Sequence, residues 1–484
     1  MMTDKLKILM IAAEAVPFVK IGGLADVVGS LPKALRKLGH DVRICIPGYA
    51  FIDRAKFRLK RTAEILVPIG DDHHEPALIQ EALHEGNIPV YAIGNARYFG
   101  RERVYGYPDD DERFLFFSRA VLEMLKKSEW CPDVLHCNDW HTGVIPNYLK
   151  TIYENDPFFK HATTVFTIHN LAYQGACGPG TWRKGGLEGY DSKYTEIAGF
   201  SSFMSRGILF SDVVNTVSEK YALEIQTPEY GEGLDLLFRK RRERLFGILN
   251  GLDYEDYDPA TDKRIPVNYD ATAIEKKKAN KLALQKECNL PVNSRMPLMG
   301  IVSRLVSQKG LDLVANAIHG ILLHDLQLVL LGTGDEYFER LFRGIAQKFP
   351  TKICVNISFD PDLARRIYAG ADMLLMPSRF EPCGLSQLIA MRYGTVPVVR
   401  ATGGLADTVK DFNPSTGKGN GFVFELYNHW VLFSTIVRAV ETFKYKAIWS
   451  ELIKRVMSAD HSWMSSARKY AQLYKKALEF RRKS

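Results

Sequence analysis

At 484 residues the chain is longer than one hydrophobic core fills, because such cores stop growing at roughly 250–300 residues, so two domains are expected. Its 46% hydrophobic and 25% charged residues are the balance of an ordinary globular protein, and no apolar run nears the roughly 20 residues of a bilayer-spanning helix. The net charge of +8 suits an anionic ligand, but the basic runs at 239–244 and 475–483 lack the interleaved aromatics that stack bases and read as solvated helix faces, so no nucleic-acid or membrane partner is expected.

Residues 1–7 lead directly into an apolar run at 8–13, with no small-residue cleavage site, and no targeting peptide is read. Seven cysteines without a C-x-x-C pair fit a reducing cytoplasm better than a disulfide framework. Further strands are expected at 42–46, 134–137, 164–168 and 213–217, then at 298–303, 328–331, 353–357, 373–376 and 396–399. These runs mostly lack polar alternation, as parallel strands buried on both faces do. Helical patterns such as 113–125, 311–322 and 337–349 lie between them. Strand–helix repetition predicts an α/β fold of two doubly wound, Rossmann-like domains. Asp109, Asp110, Asp111 and Glu112 read as the acidic first turn of the helix beginning near 113, at its positive dipole end. A domain boundary falls after Asn250 and Gly251, where the acidic, proline-terminated segment 253–259 reads as an exposed linker.

One motif occurs in both halves. Residues 22–28 read GGLADVV and residues 403–409 read GGLADTV, six of seven letters in common. Each copy follows a predicted strand and precedes a helical pattern, where glycines let backbone N–H groups approach an anion at a helix N-terminus. A tight turn would explain either copy alone; matched copies favour two ligand loops. Neither is a G-x-G-x-x-G dinucleotide fingerprint or a P-loop. Arg304 and Lys309 link a predicted strand to a helix and are the cations that a diphosphate leaving group needs; a pair of surface cations is the plain alternative. Glu381, between Phe380 and Pro382, is either a helix-start acid or an acceptor for sugar hydroxyls. The cluster His136, Cys137, Asn138, Asp139, Trp140 and His141 has no established metal-ligand spacing, and no metal is expected. Asp139 and His169 each close a predicted strand.

Together these segments resemble the bacterial glycogen synthase and plant starch synthase family. The matching blocks are K-I-G-G-L-A-D-V from Lys20, H-N-L-A-Y-Q-G from His169, N-G-L-D from Asn250, Ser303-Arg304 through Lys309-Gly310, and P-S-R-F-E-P-C-G-L from Pro377. They run in the family's order from Leu6 to Leu478. The resemblance implies a retaining glucosyltransferase of the two-Rossmann-domain (GT-B) type with a deep inter-domain cleft and no cofactor or catalytic metal. It implies ADP-glucose as donor, with UDP-glucose or another acceptor as alternatives, and glycogen or a malto-oligosaccharide as acceptor. Domains are expected at 1–250, on the acceptor side, and 251–461, on the nucleotide-sugar side, with a helix within 462–484 crossing back to the first.

By the same resemblance, Lys20, Gly22, Gly23, Arg304 and Lys309 hold the diphosphate. Glu381, Cys383, Gly384 and Leu385 hold the donor glucose. His169 and Asn250 flank the reacting carbon, and Asp139 lies near the acceptor. Glu14, Asp26, Thr402, Gly403 and Gly404 complete the substrate-binding set. The implied chemistry is same-face attack, with a leaving phosphate oxygen taking the acceptor proton. Two positions depart from the pattern. Ile389 stands where many retaining relatives carry a second acid, and Ser205 stands where the family usually has lysine, with Arg206 as a possible substitute. One ligand shared by both glycine loops would require domain closure, with hinges expected at 253–258 and 462–463.

Overall fold

The computed structural model describes residues 5–70, 73–188 and 202–483; residues 1–4, which open the expected lead into the first strand, lie outside them. The chain divides into two compact units: Met1–Gly251 with Trp463–Ser484, and Leu252–Ser462.

In the first unit the described residues form one sheet from β1 (Lys7–Ile11), β2 (Asp41–Pro47), β3 (Lys60–Pro68), β4 (His74–His84), β5 (Ile88–Gly94), β6 (Val134–Asn138), β7 (Thr163–Ile168), β8 (Val213–Thr216) and β9 (Leu245–Gly247). Their order is β3-β4-β5-β2-β1-β6-β7-β8-β9. From β5 to β9 every neighbour pair is parallel, and the apolar runs of β1, β6 and β7 are buried from end to end except at Lys7. The β3–β4 and β4–β5 pairs are antiparallel, an extension that the sequence reading did not anticipate. Those strands alternate polar and apolar residues, so they lack the continuous apolar runs used to find the others.

The last helix, Trp463–Lys483, is part of this unit's core. Ala467, Tyr470, Tyr474 and Ala477 are fully buried, and Thr163 Oγ1 donates to the Ala477 carbonyl at 3.2 Å. Tyr474 Oη pairs with His136 Nδ1 at 2.8 Å, while His136 Nε2 pairs with Thr167 Oγ1 at 2.7 Å. Burial lowers the His136 pKa to about 3, so His136 is a neutral strut between sheet and helix.

The second unit holds β10 (Leu298–Val302), β11 (Gln327–Leu331), β12 (Ile353–Asn356), β13 (Met373–Met376), β14 (Val396–Arg400) and β15 (Phe422–Phe424). Their order is β12-β11-β10-β13-β14-β15, parallel throughout. Both units are therefore Rossmann-like, and each aligns the carboxyl ends of its central strands, where ligands bind in such sheets.

The segment read as an exposed linker is instead fastened to the second unit. Arg365, nearly buried, pairs with Asp256 at 2.6 Å and lies 3.6 Å over the Tyr257 ring. Arg392 pairs with Asp258 at 3.0 Å and lies 4.4 Å over Tyr254. Asp256 and Asp258 are thus partners of arginines more than 100 positions away, which ties that segment to the second unit.

Candidate active site

In the second unit, the loop after β10 carries Arg304 and Lys309. Gly310 ends its last turn with φ 69, and a Cβ there would stand 2.0 Å from the Pro377 carbonyl oxygen, so glycine alone allows this loop to lie on the end of β13. Arg379 N donates to Gln308 O at 2.8 Å, and Gln308 Nε2 donates to Phe380 O at 3.3 Å, knitting the two loops. The outcome is a buried ion pair: Lys309 Nζ stands 2.6 Å from Glu381 Oε2, which also accepts from Ser378 Oγ at 3.1 Å. Glu381 is only 6% exposed. Arg304 is exposed and reaches Gln308 Oε1 at 3.4 Å. A recess of about 210 Å³ is lined by Ser303, Arg304, Lys309, Met376, Ser378 and Ser386.

The second glycine motif backs this loop. A Cβ on Gly403 (φ 44) would meet the Glu381 carbonyl oxygen at 2.0 Å, and one on Gly404 would meet the Cys383 carbonyl oxygen at 2.0 Å. Gly404 N donates to Glu381 O at 3.1 Å. Thr402 and Cys383 are buried, Gly384 has φ 72, and Leu385 precedes the helix Ser386–Arg392. Thus Arg304, Lys309, Glu381, Cys383, Gly384, Leu385, Thr402, Gly403 and Gly404 gather along three neighbouring strand ends. Ile389 packs in the apolar cluster of Tyr368, Met376 and Leu405, where an ionised carboxylate would be costly.

In the first unit, the buried Glu14 organises the loop ahead of the helix Gly23–Lys37. Its Oε2 accepts from Ile21 N (2.5 Å) and Gly22 N (2.9 Å), and its Oε1 from Tyr105 Oη (2.5 Å). Gly22 has φ −135, and a Cβ there would meet nothing within 4 Å. Lys20 and Asp26 form an ion pair at 2.6 Å with both side chains well exposed.

Asp139, between β6 and a short turn, has φ 55, a backbone state uncommon outside glycine. Its Oδ1 accepts from His169 N at 2.7 Å. Burial raises its pKa to about 7 against the lowering pull of amide bonds from His169 and Asn170, and the Glu14 charge adds to the rise. His169 Nε2 lies 3.0 Å from Asn138 Oδ1. Because Asn138 Nδ2 donates to Ile11 O and His136 O, its Oδ1 is the acceptor and His169 Nε2 carries the proton. His169 Nδ1 is then a buried lone pair with no hydrogen-bond partner among the described residues. Burial lowers this imidazole to about 3, so His169 is neutral at working pH. The first unit therefore joins Glu14, Gly22, Asp139 and His169 around the ends of β1, β6 and β7. Asn250 is buried after β9, its Oδ1 unpartnered among the described residues.

Sequence reasoning missed Tyr105, Ser378 and Gln308, whose roles come from contacts across 91, 3 and 72 positions respectively. Ser378 and Gln308 lay within recognised blocks, Tyr105 in none. Ser205 caps its own helix through a reciprocal box with Ser202, and Arg206 lies buried with its guanidinium 4.5 Å over the Trp182 ring. Arg206 thus packs against the Trp182 ring within the first unit. Among the described residues no group of three or more His, Cys, Asp or Glu could hold a metal ion, and no helix is long and apolar enough to cross a membrane.

The fold and its comparisons define an enzyme, a glycosyltransferase built from two Rossmann-like units. The starch synthase catalytic domain family matches residues 7–240, and glycosyl transferases group 1 match residues 286–452. Glycogen synthase of Moorella thermoacetica is 50% identical over 486 aligned residues, covering 99% of each chain, and that of Clostridium perfringens is 47% identical over 484, covering 98% and 99%. The chain belongs to the glycogen and starch synthase family. The catalytic domain of Starch Synthase IV from Arabidopsis thaliana, solved with ADP and acarbose, superposes with a TM-score of 0.88 at 36% identity, covering 98% of this chain and 100% of that one. Sucrose-phosphate synthase from Thermosynechococcus elongatus shares the fold alone, at a TM-score of 0.60 and 18% identity over 97% and 98% of the chains.

Proposed function

We propose that the enzyme transfers glucose from ADP-glucose to the non-reducing 4-OH of an α-1,4-glucan with retained configuration. The observation that carries this reading is that Arg304 and Lys309 line one strand-end recess while Lys309 pairs with the buried Glu381. In that reading Arg304 and Lys309 neutralise the charge that develops on the departing diphosphate. Glu381, oriented by Lys309 and Ser378, accepts hydrogen bonds from the donor glucose. His169, neutral, offers Nδ1 as an acceptor without competing as a cation. Asp139 belongs to the acceptor side, and Glu14 shapes the loop of Lys20 and Gly22.

The bond from glucose C1 to the diphosphate oxygen breaks as the bond to the acceptor O4 forms on the same face. The acceptor proton passes to the leaving phosphate oxygen. The protein's share is positioning and charge stabilisation. Relatives named glycogen synthase at 47–50% identity support the glucan acceptor, and the ADP held by the Arabidopsis catalytic domain supports the donor.

The test is nucleotide release from ADP-glucose and UDP-glucose in parallel, with and without glycogen, and NMR of the new linkage. Glycogen-dependent release from ADP-glucose with an α-1,4 product is expected. Faster release from UDP-glucose overturns the donor, release indifferent to glycogen overturns the acceptor, and a β linkage overturns retention.

A further inference from the structure

One guanidinium straps three neighbouring strand ends of the second unit together. Arg400 is the last residue of β14, which lies between β13 and β15 in the sheet, and it is buried. Its Nη1 donates to the Arg379 carbonyl at 2.6 Å and, at a long 3.5 Å, to the Ser378 carbonyl. Its Nε donates to the Glu425 carbonyl at 3.0 Å. Ser378 and Arg379 belong to the loop that leaves β13, and Glu425 directly follows β15. Beyond a strand's end the ladder supplies no further donors, so carbonyls there need partners from elsewhere. The Tyr427 ring lies 5.5 Å from the Arg400 guanidinium and 4.5 Å from that of Arg379, and its hydroxyl donates to Asp312 Oδ1 at 2.6 Å. A planar fork of donors serves the carbonyls of two loops at once, which the point charge of a lysine does not.

The loop held in this way is the one that carries Glu381. Ser378 donates its hydroxyl to Glu381 Oε2 at 3.1 Å, so whatever fixes the Ser378 backbone also aims that hydroxyl. From the β10 side Gln308 holds the same loop, accepting from Arg379 N and donating to Phe380 O. Arg400 completes the grip from the β14 side. We propose that Arg400 is a positioning residue for glucosyl transfer, fixing the loop from Ser378 to Glu381 so that the Glu381 carboxylate meets the donor sugar. The inference rests on the role given to Glu381 above. Arg400 acts through the loop and not on the substrate, and a misplacement of about 1 Å at a reacting centre can cost roughly 10²-fold in rate. Arg304 and Lys309 belong to the loop after β10, so the binding of the nucleotide alone should be largely spared.

The test is a double-mutant cycle in the full chain, read as kcat and donor KM with glycogen and the faster of ADP-glucose and UDP-glucose, beside calorimetric binding of the matching nucleoside diphosphate. Arg400→Met should lower kcat/KM by about 10²-fold while the diphosphate binds nearly as to the wild type. Arg400→Lys, which keeps the charge and loses the fork, should fall between the two, and it carries the test if Arg400→Met does not fold. In a Glu381→Gln background, Arg400→Met should cost little more, because both changes remove the same contact with the sugar. Lys277→Met is the control for damage to the fold. Lys277 Nζ lies within hydrogen-bond reach of the Tyr368, Ala369 and Tyr393 carbonyls and of Thr395 Oγ1, at the opposite end of β14. Its loss should lower the melting temperature and leave donor KM unchanged. Wild-type kinetics in folded Arg400→Met or Arg400→Lys overturns the proposal. So does a fully additive loss in the Glu381→Gln background, an equal loss of diphosphate binding, or the same kinetic defect in Lys277→Met. Wild-type kinetics in Glu381→Gln overturns the role of Glu381 itself, and this proposal with it.

Discussion

Replacing Lys309 with Met separates two roles that the sequence alone merges. The change removes the cation 2.6 Å from Glu381, whose carboxylate is 6% exposed and keeps only the Ser378 hydroxyl of the two partners described. Breaking one side of a buried pair costs roughly 3–5 kcal/mol. The Lys309 side chain is 18% exposed, so the lower end applies, about 3 kcal/mol. Arg304 is exposed with one bond of 3.4 Å, and Arg304→Met should change stability by no more than about 0.5 kcal/mol. Both variants should lose turnover, by about 3–4 kcal/mol of barrier or 10²–10³-fold, if both serve the diphosphate. Removing Arg304 should therefore cost the fold little, and removing Lys309 should cost it much. Adding Glu381→Gln to Lys309→Met removes the stranded charge and should recover most of the lost stability. Urea unfolding followed by circular dichroism, beside kcat at saturating donor, measures both quantities. Equal stability losses in Lys309→Met and Arg304→Met refute the buried-pair reasoning, and wild-type kcat in either folded variant refutes the diphosphate assignment.

The remaining predictions concern the glycines, Asp139 and metals. Gly404→Ala should lower the melting temperature and soluble yield, because its Cβ would enter the Cys383 carbonyl; Gly22→Ala should keep the wild-type melting temperature yet raise the donor KM several-fold, and the reverse pattern counts against both assignments. The Asp139 carboxyl is raised to about 7 in the fold, against about 3.9 in the unfolded chain, so the fold binds the extra proton between those values. Its stabilising contribution is full below about pH 4 and is lost as pH rises towards 7, on the order of 4 kcal/mol in all. Asp139→Asn should accordingly flatten the fall of the urea midpoint between pH 4.5 and 8, an outcome that an unchanged slope contradicts. Activity should persist in EDTA, since Arg304 and Lys309 supply the charge; loss reversed by a single metal would return attention to Asp139 and its neighbours.

The elements legible in the sequence were those whose cause is local. The central strands β1, β6, β7, β10, β11 and β13 announce themselves as mostly apolar runs without polar alternation, because both faces are covered. Asp110, Asp111 and Glu112 do form the first turn of the helix Asp110–Lys127. What remained hidden was partnership. Glu112 also bonds Tyr98 (2.6 Å), Arg97 (2.9 Å) and Lys184, so dipole complementarity is only part of its role. The acids at 256 and 258 looked solvated because nothing nearby in sequence announces Arg365 and Arg392. Tyr105 was invisible for the same reason: its value lies in one hydrogen bond to Glu14, 91 residues away.

The repeated motif carries the sharpest case of identical letters under different physics. In the second copy, Gly403 and Gly404 are required by the fold itself, since any side chain would collide with the carbonyls that shape the Glu381 loop. Their presence is explained without a phosphate, and their contribution to the site is to hold Glu381 in place. In the first copy the backbone of Gly22 is extended and the space beyond it is open, so no packing demand selects glycine there. The demand must come from what approaches that surface, which is how a ligand loop differs from a tight turn. Yet the amides of Ile21 and Gly22 already point at an anion, the carboxylate of Glu14. A diphosphate arriving here would find those two donors engaged, leaving Lys20 and the amides further into the helix Gly23–Lys37 as the groups able to meet it. Glu14→Gln, which keeps an oxygen for the amides while removing the negative charge, should therefore tighten the binding of ADP. Weaker binding would mean that Glu14 holds the loop in the shape the ligand needs, rather than standing where the ligand's charge would go.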